Sequence, residues 1–193
     1  TKAPSDSKGV QFINAHDCVL RDVVVTGFAT CVHNSASSNN FHMVHVWNWN
    51  TQVTLKTCFY DEGNNNAYVQ CYGDGPTVPE GETGYGWYLK GPHTRIVSSQ
   101  LYASHWTERD TMIGIYVAPE AKAPTFIGNH FLVCSPDNPH GGNRRHDMKA
   151  AFAGALDGAC IIGNTYAKWI GEGKLFGIPS LESEARTGGA PED

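Results

Sequence analysis

The chain has 193 residues, 40% hydrophobic and only 17% charged, which suffices for one domain with a sizeable core and excludes a disordered polypeptide. A formal charge of -5 and a pI near 5.9 argue against nucleic acid as the main partner. No apolar run approaches the roughly 20 residues that span a bilayer, and the wealth of Gly, Asn, Ser and Thr suits a turn-rich all-β protein better than a helical bundle.

Residues 1–8 are polar, contain Pro4 and read as a lead-in segment; the start at Thr1 rather than Met leads us to expect a processed chain or an excised fragment. Gly9–Asn14 opens a strand with Val10 and Phe12 on one face, and Cys18–Val25 follows as the first copy of a recurring phrase. The second unit runs from Thr30–Asn34 through the polar turn Ser35–Asn40 to Phe41–Trp47. The third has Val53–Cys58, the turn Asp61–Asn66 and Ala67–Tyr72. Clearest is the fourth, Gly86–Gly91 followed by Thr94–Tyr102; the fifth has Ile113–Ala118 and Pro124–Val133, and the sixth Ala150–Gly154 and Ala159–Tyr166. Residues 167–178 retain apolar side chains and are expected to cap the stack, while 179–193 read as a flexible tail or linker.

The phrase places an apolar residue, a small or polar pair, and a second large residue four positions on. Its anchors Leu20, Met43, Val69, Val97, Ile127 and Ile162 are spaced by 23, 26, 28, 30 and 35 residues. The third copy is the weakest, because Gly73 replaces the second large residue. Repeats of this length signal a solenoid, whose units bury apolar faces only against neighbours. The expected fold is all-β, a right-handed parallel β-helix of about six coils over residues 9–178. A leucine-rich repeat would need a Leu/Asn consensus that is missing, and a β-sandwich would not require one phrase in every segment. A third short strand per coil is left open, with Val53–Phe59 as one candidate. The six cysteines, Cys18, Cys31, Cys58, Cys71, Cys134 and Cys160, lack CxxC spacing and read mainly as small core residues, although an even count permits disulfides.

The stretches GVQFINAHDCVLRDVVVTGFATCVHNSASSNNFHMVHV, GWYLKGPHTRIVSSQLYAS and GIYVAPEAKAPTFIGNHFL resemble the central coils of pectate-lyase-like β-helix proteins, over about residues 9–166. That superfamily includes polysaccharide lyases, glycoside hydrolases and bacteriophage tailspikes, and fold alone does not choose among them. The Asn-x-Asp, Asp-Asp and Gly-His-Gly motifs of its pectin-hydrolysing members are absent, as is a calcium-binding aspartate cluster of the pectate lyase kind. No catalytic residue of the family carries over.

Spacing grows because loops are inserted after the second strand of units three, four and five, at Gly73–Tyr85, Ala103–Met112 and Cys134–Met148. Equivalent positions stack in a solenoid, so these loops are expected to form one wall beside a lateral sheet, a groove suited to an extended polymer. Glu80, Glu82, Glu108 and Asp110 are the candidate catalytic carboxylates, since paired carboxylates supply acid and base or nucleophile in glycoside hydrolysis. A carboxylate with Arg would instead suit lyase chemistry. Trp106, Arg109, Tyr85, His105, Arg144 and His146 are the candidate ligand-binding residues. Trp47, Trp49, Trp87, Tyr88 and Tyr102 add aromatic surface, and alternation sets Tyr88 opposite Trp87 and Leu89, and Asn48 opposite Trp47 and Trp49. No metal ligands are assigned: His140, His146 and Asp147 lack an HExxH or CxxC frame, and Asp61–Asn66 lacks EF-hand spacing.

The resemblance implies a segment of a phage tailspike or similar virion adhesin, in the virion tail or extracellular. Its partner would be a bacterial surface polysaccharide, which it would bind, with depolymerisation as the further activity open to it, in a homotrimer in contact with other tail proteins. No cofactor, nucleic acid or membrane insertion is expected. The rivals are a stand-alone secreted polysaccharide lyase or glycoside hydrolase, and a purely structural virion β-helix.

Overall fold

A computed structural model describes residues 6–49, 55–79, 81–103, 111–134 and 148–169. The described residues are all-β, and every strand pairing among them is parallel. The first sheet has six strands: β1 (Lys8–Phe12), β3 (Thr30–Asn34), β5 (Thr57–Asp61), β8 (Gly84–Leu89), β11 (Met112–Val117) and β14 (Met148–Gly154), paired in that order. The second has ten. Two long strands, β2 (Val19–Thr26) and β4 (His42–Trp49), cross its full width. Beyond β4 each crossing divides into two short strands. One ladder continues as β6 (Ala67–Val69), β9 (Arg95–Val97), β12 (Thr125–Ile127) and β15 (Cys160–Ile162). The other continues as β7 (Tyr72–Asp74), β10 (Gln100–Ala103), β13 (His130–Cys134) and β16 (Thr165–Trp169). The second ladder supplies the third strand of the third to sixth repeats. The third repeat opens at Thr57, in the first sheet, so β5 is not that third strand.

A single left-handed residue separates the two ladders in every repeat. Asp22, His45, Gln70, Ser98, Gly128 and Gly163 all have φ between 49° and 63°. The next residue turns back toward the core, and there a polar column develops along the chain. The Cys71 N–H donates to Ser99 Oγ at 3.1 Å, the Ser99 N–H to Asn129 Oδ1 at 3.0 Å, and the Asn129 N–H to Asn164 Oδ1 at 2.9 Å. Asn129 Nδ2 donates to Ile96 O and to Asn164 Oδ1, and Asn164 Nδ2 to Phe126 O. Each side chain thus satisfies backbone groups that the bend removes from the ladder.

This register corrects the alignment of the recurring phrase. Met43 pairs with Tyr68, not Val69, and Val44 pairs with Val69. Leu20 and Met43 therefore face the core, whereas Val69, Val97, Ile127 and Ile162 fall in the outward column of Arg21 and Val44. In-register residues are 23, 25, 28, 30 and 35 apart. β4 is apolar on both faces at Met43 and Val44, so a phrase match tolerates a slip of one residue, which reverses the face.

The core lies between the sheets. In the first sheet Val10, Val32, Phe59, Trp87, Ile115 and Phe152 form one column, with Phe59 and Trp87 stacked at 4.6 Å. Opposite them stand Leu20, Met43, Tyr68, Ile96, Phe126 and Ile161. Burying each large side chain contributes about 1.5–3 kcal/mol. Strict alternation fails in the first sheet, where Cys31–Val32, Cys58–Phe59, Gly86–Trp87, Gly114–Ile115 and Ala151–Phe152 are consecutive buried pairs. The weak third copy has a packing cause: a Cβ on Gly73 would lie 2.6 Å from Leu101 Cδ1, and one on Gly86 2.4 Å from Leu101 Cδ2. Leu101 fills the space that both glycines leave.

Cys31, Cys58 and Cys71 are buried and free, as small core residues would be. Cys160 instead is exposed and Cys18 partly so, both as free thiols; the Cys134 side chain is outside the described set. Asp61, read from sequence as part of a polar turn, ends β5 fully buried. Most of the expected cap and all of the tail lie outside the described residues.

Candidate functional site

The lengthening insertions all leave the end of the second sheet and return at the start of the first, in segments 50–56, 75–83, 104–111 and 135–147. Their departure points are paired, Tyr102 with Asp74 and Ala103 with Val133, and so are their return points, Gly84 with Met112 and Met112 with Met148. The bases of the insertions thus share one edge, and the first sheet begins at that edge.

On its outward face the first sheet carries a row of tyrosines. Tyr60 pairs with Tyr88 and Tyr88 with Tyr116, so in-register parallel strands set their rings at the strand spacing of about 4.8 Å. The Tyr60 and Tyr88 rings stack at 5.0 Å and 13°, and Tyr88 and Tyr116 follow at 4.9 Å and 33°. Tyr85, at the insertion end of β8, completes the row edge-on to Tyr88 at 4.9 Å and tilted against Tyr116 at 5.5 Å. All four rings are partly exposed. Stacked in this way the rings largely cover one another's faces, so the ribbon presents ring edges and phenol hydroxyls outward, a surface part apolar and part hydrogen-bonding.

Charge and hydrogen bonds close one end of the ribbon. His33 packs edge-on to Tyr60 at 5.1 Å, and its Nε2 lies 3.1 Å from Glu62 Oε2. Lys90 Nζ donates to Glu62 Oε1 at 3.1 Å and sits 5.8 Å from the Tyr60 ring centre. Gln11 Nε2 reaches His33 Nδ1 at 3.2 Å. Burial would raise the Glu62 carboxyl, but its bonds with His33 and Lys90 outweigh that and hold it below its ordinary range. Lys90 is raised by its hydrogen bonds with Glu62 and Tyr60. Glu62 is therefore an ionised anchor rather than an acid. Burial, with the neighbouring Tyr116, pushes the Tyr85 and Tyr88 phenols up, so both remain hydrogen-bond donors at neutral pH.

Of the candidate residues read from sequence, two are described. Tyr85 lies in the ribbon. Glu82, exposed just before β8, has its Oε2 4.0 Å from Lys56 Nζ. Glu80, His105, Trp106, Glu108, Arg109, Asp110, Arg144 and His146 lie outside the described residues. Tyr60, Tyr116, His33, Glu62 and Lys90 escaped the sequence reading. Their signal was a large residue followed by tyrosine at one place in successive repeats: Phe59-Tyr60, Trp87-Tyr88, Ile115-Tyr116. Trp87 and Leu89 are buried and Tyr88 outward, and Asn48 is buried while Trp47 is exposed, as alternation required.

Among the described residues no group of three or more His, Cys, Asp or Glu is placed to hold a metal, and no helix is long and apolar enough to cross a membrane. No family model, curated protein or solved structure matches the chain.

Proposed function

We propose that the chain is a right-handed parallel β-helix of about six coils, of the pectate-lyase-like kind, serving a phage tailspike or similar virion adhesin that binds a bacterial surface polysaccharide. The observation that carries this reading is the tyrosine ribbon of Tyr60, Tyr85, Tyr88 and Tyr116, beginning at the edge from which the insertions rise. Three rows of rings span about 10 Å, a length that suits a glycan lying across the strands against the ring edges and phenol hydroxyls. The phenols and Lys90 would bond its hydroxyls. The insertions would form the facing wall, and their carboxylates Glu80, Glu82, Glu108 and Asp110 would carry any depolymerase activity.

A panel of purified capsular and O-antigen polysaccharides tests the reading. At least one should bind the wild type, and Tyr88→Ala should weaken that binding by about tenfold or more, as loss of a central aromatic contact does. Binding to none of them, or binding indifferent to Tyr88→Ala, overturns the assignment and leaves a purely structural role. Release of reducing ends by the wild type, abolished when the four carboxylates are replaced together by Ala, would identify the depolymerase.

A further inference from the structure

The second sheet carries a different aromatic site at its bend. A shallow depression of about 360 Å³ is lined by His45, Trp47, Gln70, Tyr72, Ser98 and Gln100. Trp47 and Tyr72 are register partners, their rings 5.7 Å apart and inclined at 50°, so they form a shallow V rather than a flat stack. Trp47 remains 41% exposed, an unusual degree for the largest side chain. Around the rings stand two amides, a hydroxyl and an imidazole, which together offer both donors and acceptors.

The backbone that carries these side chains is strained. His45, Gln70 and Ser98 all hold the left-handed conformation at the bend, with φ of 55°, 52° and 49°. In the next two repeats the same corner is built from Gly128 and Gly163, which adopt it freely. A side chain there costs about 1–2 kcal/mol per residue. Asp22 holds the same conformation at this corner of the first repeat, so the ring pair and its polar surround, not the strain, single out the depression.

From this geometry we infer a second binding site, for a neutral hexopyranose. The rings of Trp47 and Tyr72 take the C–H face of the sugar, and Gln70, Gln100 and His45 bond its hydroxyls. Neither Lys nor Arg lines the depression, and the carboxylate of Asp22 stands behind His45, Oδ1 to Nδ1 at 3.2 Å. A uronic acid would therefore meet the Asp22 carboxylate with no Lys or Arg to bind it. The volume is near the lower end for small-molecule pockets, which fits one or two sugar rings. The site lies on the other sheet from the tyrosine ribbon and stands or falls independently of it.

Methyl glucoside, methyl galactoside, methyl mannoside and glucuronic acid, titrated into the intact chain with amide chemical shifts as the readout, test this site. At least one neutral methyl hexoside should shift residues 45–47, 70–72 and 98–100, with glucuronic acid about tenfold weaker or worse. Trp47→Ala should abolish those shifts, and Tyr88→Ala should leave them intact. Gln70→Gly separates binding from folding, since it removes the strain and the amide together. That variant should melt at or above the wild-type temperature and bind the hexoside about tenfold more weakly. Absence of binding by all three neutral hexosides, equal binding of glucuronic acid, or unchanged affinity in both Trp47→Ala and Gln70→Gly would overturn the site.

Discussion

Asp61 is a carboxyl with no exposed surface, held by Asn66 Nδ2 at 2.7 Å, Thr94 Oγ1 at 3.0 Å and the Gly63 N–H at 3.1 Å. Burial raises it from 3.8 to about 6, against the lowering effect of those donors. Because the folded chain holds this proton more tightly than the unfolded one, the contribution of Asp61 is most favourable below pH 4. It declines as pH rises from about 4 to 6, by about 3 kcal/mol at most, and is flat above. Asp61→Asn removes the titration. The stability difference between wild type and Asp61→Asn, from urea midpoints at successive pH values, should therefore shift against the wild type across that window. A difference independent of pH would show that Asp61 does not titrate there. Nothing in the Asp61–Asn66 stretch announces this burial, because the run reads as a polar turn until register places Asp61 in the column of Leu89 and Val117.

At the scale of elements, the bend of the second sheet rests on polar side chains turned inward. Asn129 accepts from the Ser99 N–H and donates to Ile96 O and Asn164 Oδ1 while 3% exposed. Asn129→Ala strands a buried N–H and carbonyl, and should lower unfolding free energy by about 2–5 kcal/mol. Asn129→Asp should not restore it, because the carboxylate cannot donate to Ile96 O. Packing gives a second expectation. Gly86→Ala would drive a methyl into Leu101 and should cost about 1–3 kcal/mol, and Leu101→Ala in the same chain should relieve part of that strain, a coupling readable in a double-mutant cycle of denaturant midpoints. Strands β8 and β11 were legible from their apolar patterns, whereas the split of the second sheet was not. A bend made by one left-handed residue leaves no signature when that residue is Asp22, His45, Gln70 or Ser98; only Gly128 and Gly163 hint at it.

For the whole molecule, the unequal spacing of repeats carried most of the information. It located the edge where insertions leave and return, and the paired strand ends there share one register. What spacing could not supply is which sheet face bears the binding surface. The echoed phrase belongs to the second sheet and its bend, whereas the tyrosine column belongs to the first sheet, one position after a buried large residue. Eight of the ten candidate site residues stand in or beside the insertions but outside the described residues, so the ribbon, not the carboxylates, bears the functional argument. The most direct measurement is an amide chemical-shift titration with an oligosaccharide cut from the polysaccharide that binds best. Saturable shifts at Tyr60, Tyr85, Tyr88 and Tyr116, lost in Tyr88→Ala, are the predicted result. Saturable binding that leaves those four residues unmoved would contradict the account.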